Sequence, residues 1–305
     1  MSVFLYALMI CVWGFSWIAI KWQQGVVPVE VSILYRFAIA ACLMFIIGKI
    51  YNRLQPVSKS HHIYLAFQGI FLFCLNFIAF YNATNYIASG LTAVVMASAP
   101  IFNALNSKLA YRTKITSNFW IGALLGLGGI SMLFINELSQ TQWSSDQLKG
   151  LLYALAGTLC FSFGNIISMR NTRHNIKPFT STSYAMLYGC LVLFLIIISK
   201  NLSFEFSFEH QYIGGLLYLA VPATVVGFTA YLILVDRVGA HNAAYLLVIT
   251  PIIALVISSI FESYQWTLYS TVGLILVVMG NVLTQMKTLL INIVLLNKFI
   301  SLKPK

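Results

Sequence analysis

Charge is what this sequence has least of. Asp, Glu, Lys and Arg make up 8% of its 305 residues and hydrophobic residues 60%, whereas a soluble domain carries about 25% charged residues. A water-soluble fold is excluded, and the bilayer is the expected solvent. Acids are rarest, seven in all, each at the end of an apolar stretch or in a loop. That argues against a buried carboxylate relay for protons and favours uniport or antiport if the protein moves solutes. Glu30 and Glu262 stay open to lining a vestibule or to plain solvation at the rim. Paired cysteines are lacking as well: Cys11, Cys42, Cys74, Cys160 and Cys190 lie in apolar stretches with neither CxxC nor metal spacing, so they read as small core hydrophobes. There is no G-x-S-x-G, no Walker lysine loop and no H-E-x-x-H, and the five histidines sit at stretch ends or in loops. These absences remove the common hydrolase, nucleotide and zinc readings. No loop exceeds about 15 residues, so nothing houses the nucleotide-binding domain of an ATP-driven pump. No catalytic residue, metal or cofactor is expected.

What is present in quantity is the apolar run. A hydrocarbon core about 30 Å thick needs about 20 apolar residues per helix, and ten stretches qualify: 3–21, 31–49, 63–82, 87–108, 118–136, 150–169, 180–199, 212–234, 241–261 and 268–286. The first has no basic region before it and no cleavage site after it, so it reads as a span that stays. The net charge of +11 comes from 18 Lys and Arg scattered singly between the stretches, which suits cytoplasmic retention rather than nucleic acid. With the N-terminus inside, 14 of the 18 fall on the cytoplasmic side; Lys21, Lys149 and Lys200 fall outside, and Arg36 lies within a span. Both termini are therefore expected in the cytoplasm. The tail 287–305 spaces Leu289, Leu290, Ile293, Leu296 and Ile300 near helical period with lysines at its ends, the pattern of an interfacial amphipathic helix.

The chain also contains itself twice. Shifted by 151 positions without a gap, Ala93, Pro100, Ile101, Ser107, Thr116, Gly122, Leu125 and Gly129 fall on Ala244, Pro251, Ile252, Ser258, Thr267, Gly273, Leu276 and Gly280. Prolines and glycines in register mark matching backbone events. Pro28 and Pro178, opening the second and seventh spans, match at an offset of 150. Five helices per copy is odd, so the second copy must enter the membrane from the opposite side. The expected fold is an all-α integral membrane protein of ten transmembrane helices in two inverted five-helix repeats, 1–140 and 149–286. Such a repeat can expose one central site alternately to either face.

Candidate cavity residues follow from that symmetry. Pro100 and Pro251 lack donors, so the carbonyls of Met96 and Leu247 are freed at matching depths and need a partner that lipid cannot give. A hydrated cavity supplies one; a kink kept for packing is the alternative. Trp13, Ser16 and Trp17 share one face of the first span, and Phe161, Gly164 and Asn165 share the echoing face of the sixth. Asn76, Phe80 and Tyr81 on the third answer Gly227, Tyr231 and Leu232 on the eighth. Aromatic walls with a few amides or hydroxyls suit amphipathic metabolites, and the same stripes also serve plain packing. Arg36, about 12 Å along its helix from Pro28, is either a counter-charge for a substrate carboxylate or phosphate, or an arginine that snorkels outward or ties helix ends. Gly122, Gly126 and Gly129 with Gly273 and Gly280 make close-packing faces, for a contact within one chain or across a homodimer.

Trp13-Gly14 and Lys21 in the first span, Arg36-Phe37 in the second and Ser89 to Pro100 opening the fourth, set in ten spans and two inverted copies, resemble the EamA family of the drug/metabolite transporter superfamily over residues 1–286. The resemblance implies a bacterial inner-membrane carrier, often an exporter of amino acids or other metabolites, with a central cavity between the repeats and a small-molecule solute and membrane lipid as partners. An importer of a nutrient such as choline or a nucleotide-linked metabolite, and a non-transporting scaffold, are the alternatives. The family often has a glutamate ending the fourth span. Here Tyr111 stands there while Glu262 ends the ninth, so if that acid shapes a gate the two gates differ.

Overall fold

The computed structural model describes residues 2–113, 115, 117–139, 145–238 and 246–300, with side chains left out at 2–3, 117, 135–139, 236, 247 and 285–300. All ten expected spans are helical. They are α1 (Ser2–Lys21), α2 (Val29–Ile50), α3 (Lys59–Tyr86), α4 in two halves (Ser89–Met96 and Ala99–Tyr111), α5 (Ser117–Ser139), α6 (Ser145–Arg173), α7 (Pro178–Ser199), α8 (His210–Tyr218, Leu219–Val226 and Gly227–Val238), α9 (Leu246–Phe261) and α10 (Leu268–Ile300). The expected start of the ninth span, at 241, lies outside the described residues. Six of the ten are long and apolar enough to cross a bilayer by that measure alone, and α5, α9 and α10 contain shorter apolar helices. The last helix continues unbroken through Ile300, so the tail extends the tenth span's helix.

Helix ends follow local chemistry. Pro178 sits in the first turn of α7, where its missing N–H costs nothing. Asn52, Asn175 and Asn201, with φ of 50°, 60° and 50°, take the left-handed position past the ends of α2, α6 and α7 that asparagine tolerates best after glycine. Two π-helical stretches interrupt α3 at Ile70–Leu75 and α8 at Leu219–Val226, at corresponding places in the two copies. Pro222, inside the second, removes a donor from the α-ladder.

Helix packing repeats with the sequence. α2 packs on α7, α4 on α9 and α5 on α10, each helix against its own counterpart; α1 packs on α8 and α9 as α6 packs on α3 and α4. α5 and α10 approach backbone to backbone. A Cβ on Gly129 would lie 2.5 Å from the Gly273 carbonyl oxygen, and one on Gly273 2.6 Å from that of Gly129, so only glycine permits this spacing. The glycine faces meet within the chain. Cross-helix bonds define two ends of the bundle. Gln55 bonds Asn175 and Thr180 at a basic end, while Glu30 bonds Lys200 and Ser89 bonds Glu262 at an acidic end. The main core lies between these ends, among Trp17, Phe37, Phe73, Phe80, Tyr81 and Met186.

Candidate functional site

The one charge within a span, Arg36, is turned into the protein. It is 4% exposed, which rules out snorkelling. Its Nε and Nη2 reach the Thr224 hydroxyl at 3.4 and 3.3 Å, and that hydroxyl donates in turn to the Leu219 carbonyl at 2.7 Å, a bond that spans five residues of the α8 π-stretch. The guanidinium carbon stands 4.9 Å from the Phe37 ring centre and 4.5 Å from that of Phe77, so two aromatic faces solvate it. The Tyr81 hydroxyl faces it and donates to Gln23 Oε1 at 2.6 Å. Arg36 Nη1 and Gln23 Nε2 have no partner among the described residues. Among the described residues the two ion pairs are Lys149–Asp146 and Lys200–Glu30; neither involves Arg36. At the matching position of the other copy α7 carries Met186, fully buried and neutral.

Aromatic rings continue outward from this point. Trp17 meets Phe80 edge-on at 5.4 Å, Phe80 meets Phe77 at 6.4 Å, Phe77 meets Phe37 at 4.8 Å and Phe37 meets Phe73 at 5.2 Å. Phe73 then meets Phe228 at 5.9 Å and Phe228 meets Trp13 at 6.2 Å, with Tyr231 5.6 Å beyond. One arc thus joins α1, α2, α3 and α8. Its far end is fixed by the α8 π-stretch. There the Gly227 N–H reaches the Pro222 carbonyl, passing over Ala223, and the Ala223 carbonyl accepts the Trp13 indole N–H at 3.1 Å. Gly227 is required for this, since a Cβ there would lie 2.6 Å from the indole nitrogen. Ser16 is half-buried and bonds back to the Trp13 carbonyl at 2.7 Å. Asn76 is 1% exposed with its Oδ1 unpartnered.

The two prolines differ. Pro251 is buried inside an unbroken stretch of α9, whereas α4 breaks at Ala97–Ser98 and Pro100 occupies the first turn of the second half. Ser98 closes the break, its hydroxyl donating to the Val95 carbonyl at 2.6 Å. The first half of α4 packs along α9; the second half leaves α9 for α6. There Asn106 donates to Ser162 at 2.8 Å and Asn165 to Asn103 at 3.4 Å. Met96, Pro100, Phe161 and Asn165 are all half-buried along this divergence. Leu247 lies on α9, its side chain outside the described residues.

At the acidic end α4 and α9 are clasped. Glu262 accepts from the Ser89 backbone N–H at 3.0 Å and from the Ser89 and Ser258 hydroxyls, each at 2.5 Å, and Gly90 N–H donates to Ser258 at 2.7 Å. A carboxylate on free N–H groups at a helix start satisfies donors that the helix leaves open. Lys21 adds a bond to the Thr84 carbonyl at 2.5 Å, and Gln24 one to the Tyr81 carbonyl at 3.0 Å. A depression of about 420 Å³ lies beside the clasp, between Lys21, Trp22, Tyr86 and Glu262. At the basic end Tyr111, standing where Glu262 has its counterpart, bonds the Ile166 carbonyl at 3.3 Å and lies under Arg173.

The structure therefore brings Trp17, Phe80, Tyr81 and Arg36 together in one core and ties Trp13 to Tyr231 at the end of the same arc. Phe161 and Asn165 stand apart, on the α4–α6 side. Phe73, Phe77, Phe228, Thr224 and Gln23 were not legible as site residues in the sequence, and Phe37 entered only through the family motif. Only Thr224 had a local signal, Pro222 two residues away in an apolar span.

Two inverted five-helix halves around a shared axis define a multi-pass membrane protein of transporter architecture. A sequence profile of the EamA-like transporter family matches residues 1–135 and 148–286, and the chain belongs to that family. It is 26% identical over 277 residues, 90% of this chain and 95% of the other, to an uncharacterized transporter of Archaeoglobus fulgidus. Protein PagO of Salmonella typhimurium is 24% identical over 92% of this chain and 91% of its own, and the uncharacterized transporter YdfC of Bacillus subtilis 23% over 96% and 94%. A solved crystal structure superposes with a TM-score of 0.66 over 93% of this chain and 96% of that one at 14% identity, a likeness of fold.

Proposed function

We propose that this protein is a secondary-active or facilitative carrier that moves a small organic solute across the bacterial inner membrane by alternating access, with both termini in the cytoplasm. A difference between equivalent segments carries the reading. Trp17, Ile18, Ala19 and Ile20 at the acidic end of α1 are 7%, 2%, 1% and 2% exposed. Four successive buried residues cover every side of a 3.6-residue turn. Their counterparts on α6 at the basic end, Asn165 to Ser168, are all partly exposed. α1 also touches α3 and α4, and no contact of that extent joins α6 to α8 or α9 among the described residues. Two segments that the repeat makes equivalent thus stand in unequal surroundings, one shut and one open. That is what an alternating carrier presents when halted on one side.

Sided flux in reconstituted vesicles tests the proposal. The expected result is saturable, solute-selective exchange from a panel of amino acids, amines, nucleosides and sugars, faster in one direction when only one gradient is imposed. Flux equal to that of protein-free vesicles for the entire panel would leave a scaffold as the better account.

A further inference from the structure

Among the described residues Arg36 is a dry cation without a counter-charge. Removing a guanidinium from water costs several kcal/mol, which a protein recovers through a well-placed anion and a full set of hydrogen bonds. Here the partners are the Thr224 hydroxyl, at 3.3–3.4 Å and already donating elsewhere, the Tyr81 hydroxyl, whose proton goes to Gln23, and two phenyl faces. A structural tie between helices needs a strong acceptor on the neighbouring helix, and Thr224 is a weak one. The unmet donors cluster: Arg36 Nη1 and Gln23 Nε2 are both unpartnered, and Tyr81 links the two residues, facing the guanidinium and donating to Gln23 Oε1. What this group lacks is a negatively charged acceptor.

Resting on the transport reading above, we infer that Arg36, Gln23 and Tyr81 form the subsite for an anionic group on the solute, and that this group is a carboxylate. A guanidinium edge matches the two oxygens of a carboxylate in plane. One cation balances one negative charge, whereas a phosphate ester brings nearly two, and the Phe37, Phe77 and Phe80 rings beside the guanidinium carry no charge to balance the second. The same rings would hold an apolar body next to the carboxylate. Met186, in the equivalent place of the other copy, makes the subsite single.

Full-length protein in lipid nanodiscs is melted with 3-phenylpropionate, 3-phenyl-1-propanol, L-leucine, isopentylamine and phenyl phosphate, for wild type, Arg36→Gln, Arg36→Lys and Thr224→Val. The carboxylates should stabilise wild type and their alcohol and amine twins should not. Arg36→Gln should weaken that response at least tenfold and yet melt higher than wild type without ligand, because the uncompensated cation is gone. Arg36→Lys should keep part of the response, and Thr224→Val, which retains the cation, should keep it whole. The subsite is overturned if an alcohol or amine twin stabilises as well as its carboxylate, if Arg36→Gln responds like wild type, or if none of the five acts. Each of those results leaves the vesicle flux to judge transport separately. A larger response to phenyl phosphate than to the carboxylates would reassign the anion and reject a carboxylate.

Discussion

Gly122 and Gly280 lie backbone against backbone. A Cβ on the first would sit 2.6 Å from the carbonyl oxygen of the second, and one on the second 2.5 Å from that of the first. Gly280 is the repeat partner of Gly129, and Gly129 in turn meets Gly273, the repeat partner of Gly122. The two contacts are images of each other under exchange of the halves, and they require α5 and α10 to run antiparallel. Inversion of the repeat is thus visible at single atoms.

Replacing Gly129 by leucine should force α5 and α10 apart and cost about 3 kcal/mol, the upper range for overpacking. Gly128, one position before, has nothing within 4 Å of its would-be Cβ, and Gly128→Ala should leave stability unchanged or raise it by up to about 1 kcal/mol, alanine being the better helix former. Reversible unfolding in mixed micelles compares the two.

Glu262→Ala should loosen the acidic end. Loss of a carboxylate on free helix N–H groups costs about 1 kcal/mol, or about a fivefold shift between closed and open forms. The readout is maleimide labelling of a cysteine placed at Thr92, fully buried one turn below the clasp, in a cysteine-free background. Tyr111→Phe, which removes only the bond to Ile166, should leave that labelling unchanged.

Gly227→Ala should displace the Trp13 indole and break its bond to Ala223, at a cost of about 1–2 kcal/mol. Trp13→Phe removes the same bond. The double variant should therefore be no worse than the poorer single one, as read from thermal melts.

Orientation is open to direct measurement. Cysteine at Lys177 should react with a membrane-impermeant reagent only in inside-out vesicles, and cysteine at Ser203 only in right-side-out ones. The opposite pattern would reverse the topology inferred from the Lys and Arg distribution.

The ten spans were legible because lipid imposes a length and a composition on each of them, and the inversion was legible because an odd helix count leaves no other arrangement. The partners of the site residues were not. Ser89 and Glu262 are 173 positions apart, and nothing local to either announces the other. The π-stretch of α3 has no proline, so its sequence reads as an ordinary helix; only Pro222 hinted at its twin. Pro100 and Pro251 matched in register, yet one opens a half-helix and the other sits mid-helix, because Ser98 closes a break in α4 and the described part of α9 has none. Phe37 and Phe77 looked like filler for the same reason that makes them useful, since a phenyl ring packs against lipid, protein or a guanidinium with equal ease.

The pairing of Arg36 with Met186 has one more implication. A duplicated carrier with identical halves would be indifferent to which side it faces, and its empty state would divide evenly between them. With the one charge held within the spans displaced to one side of the axis, turning the molecule over does not reproduce it, so the empty protein must prefer one orientation. Mutating either residue toward its twin would shift that resting preference before any cargo is added.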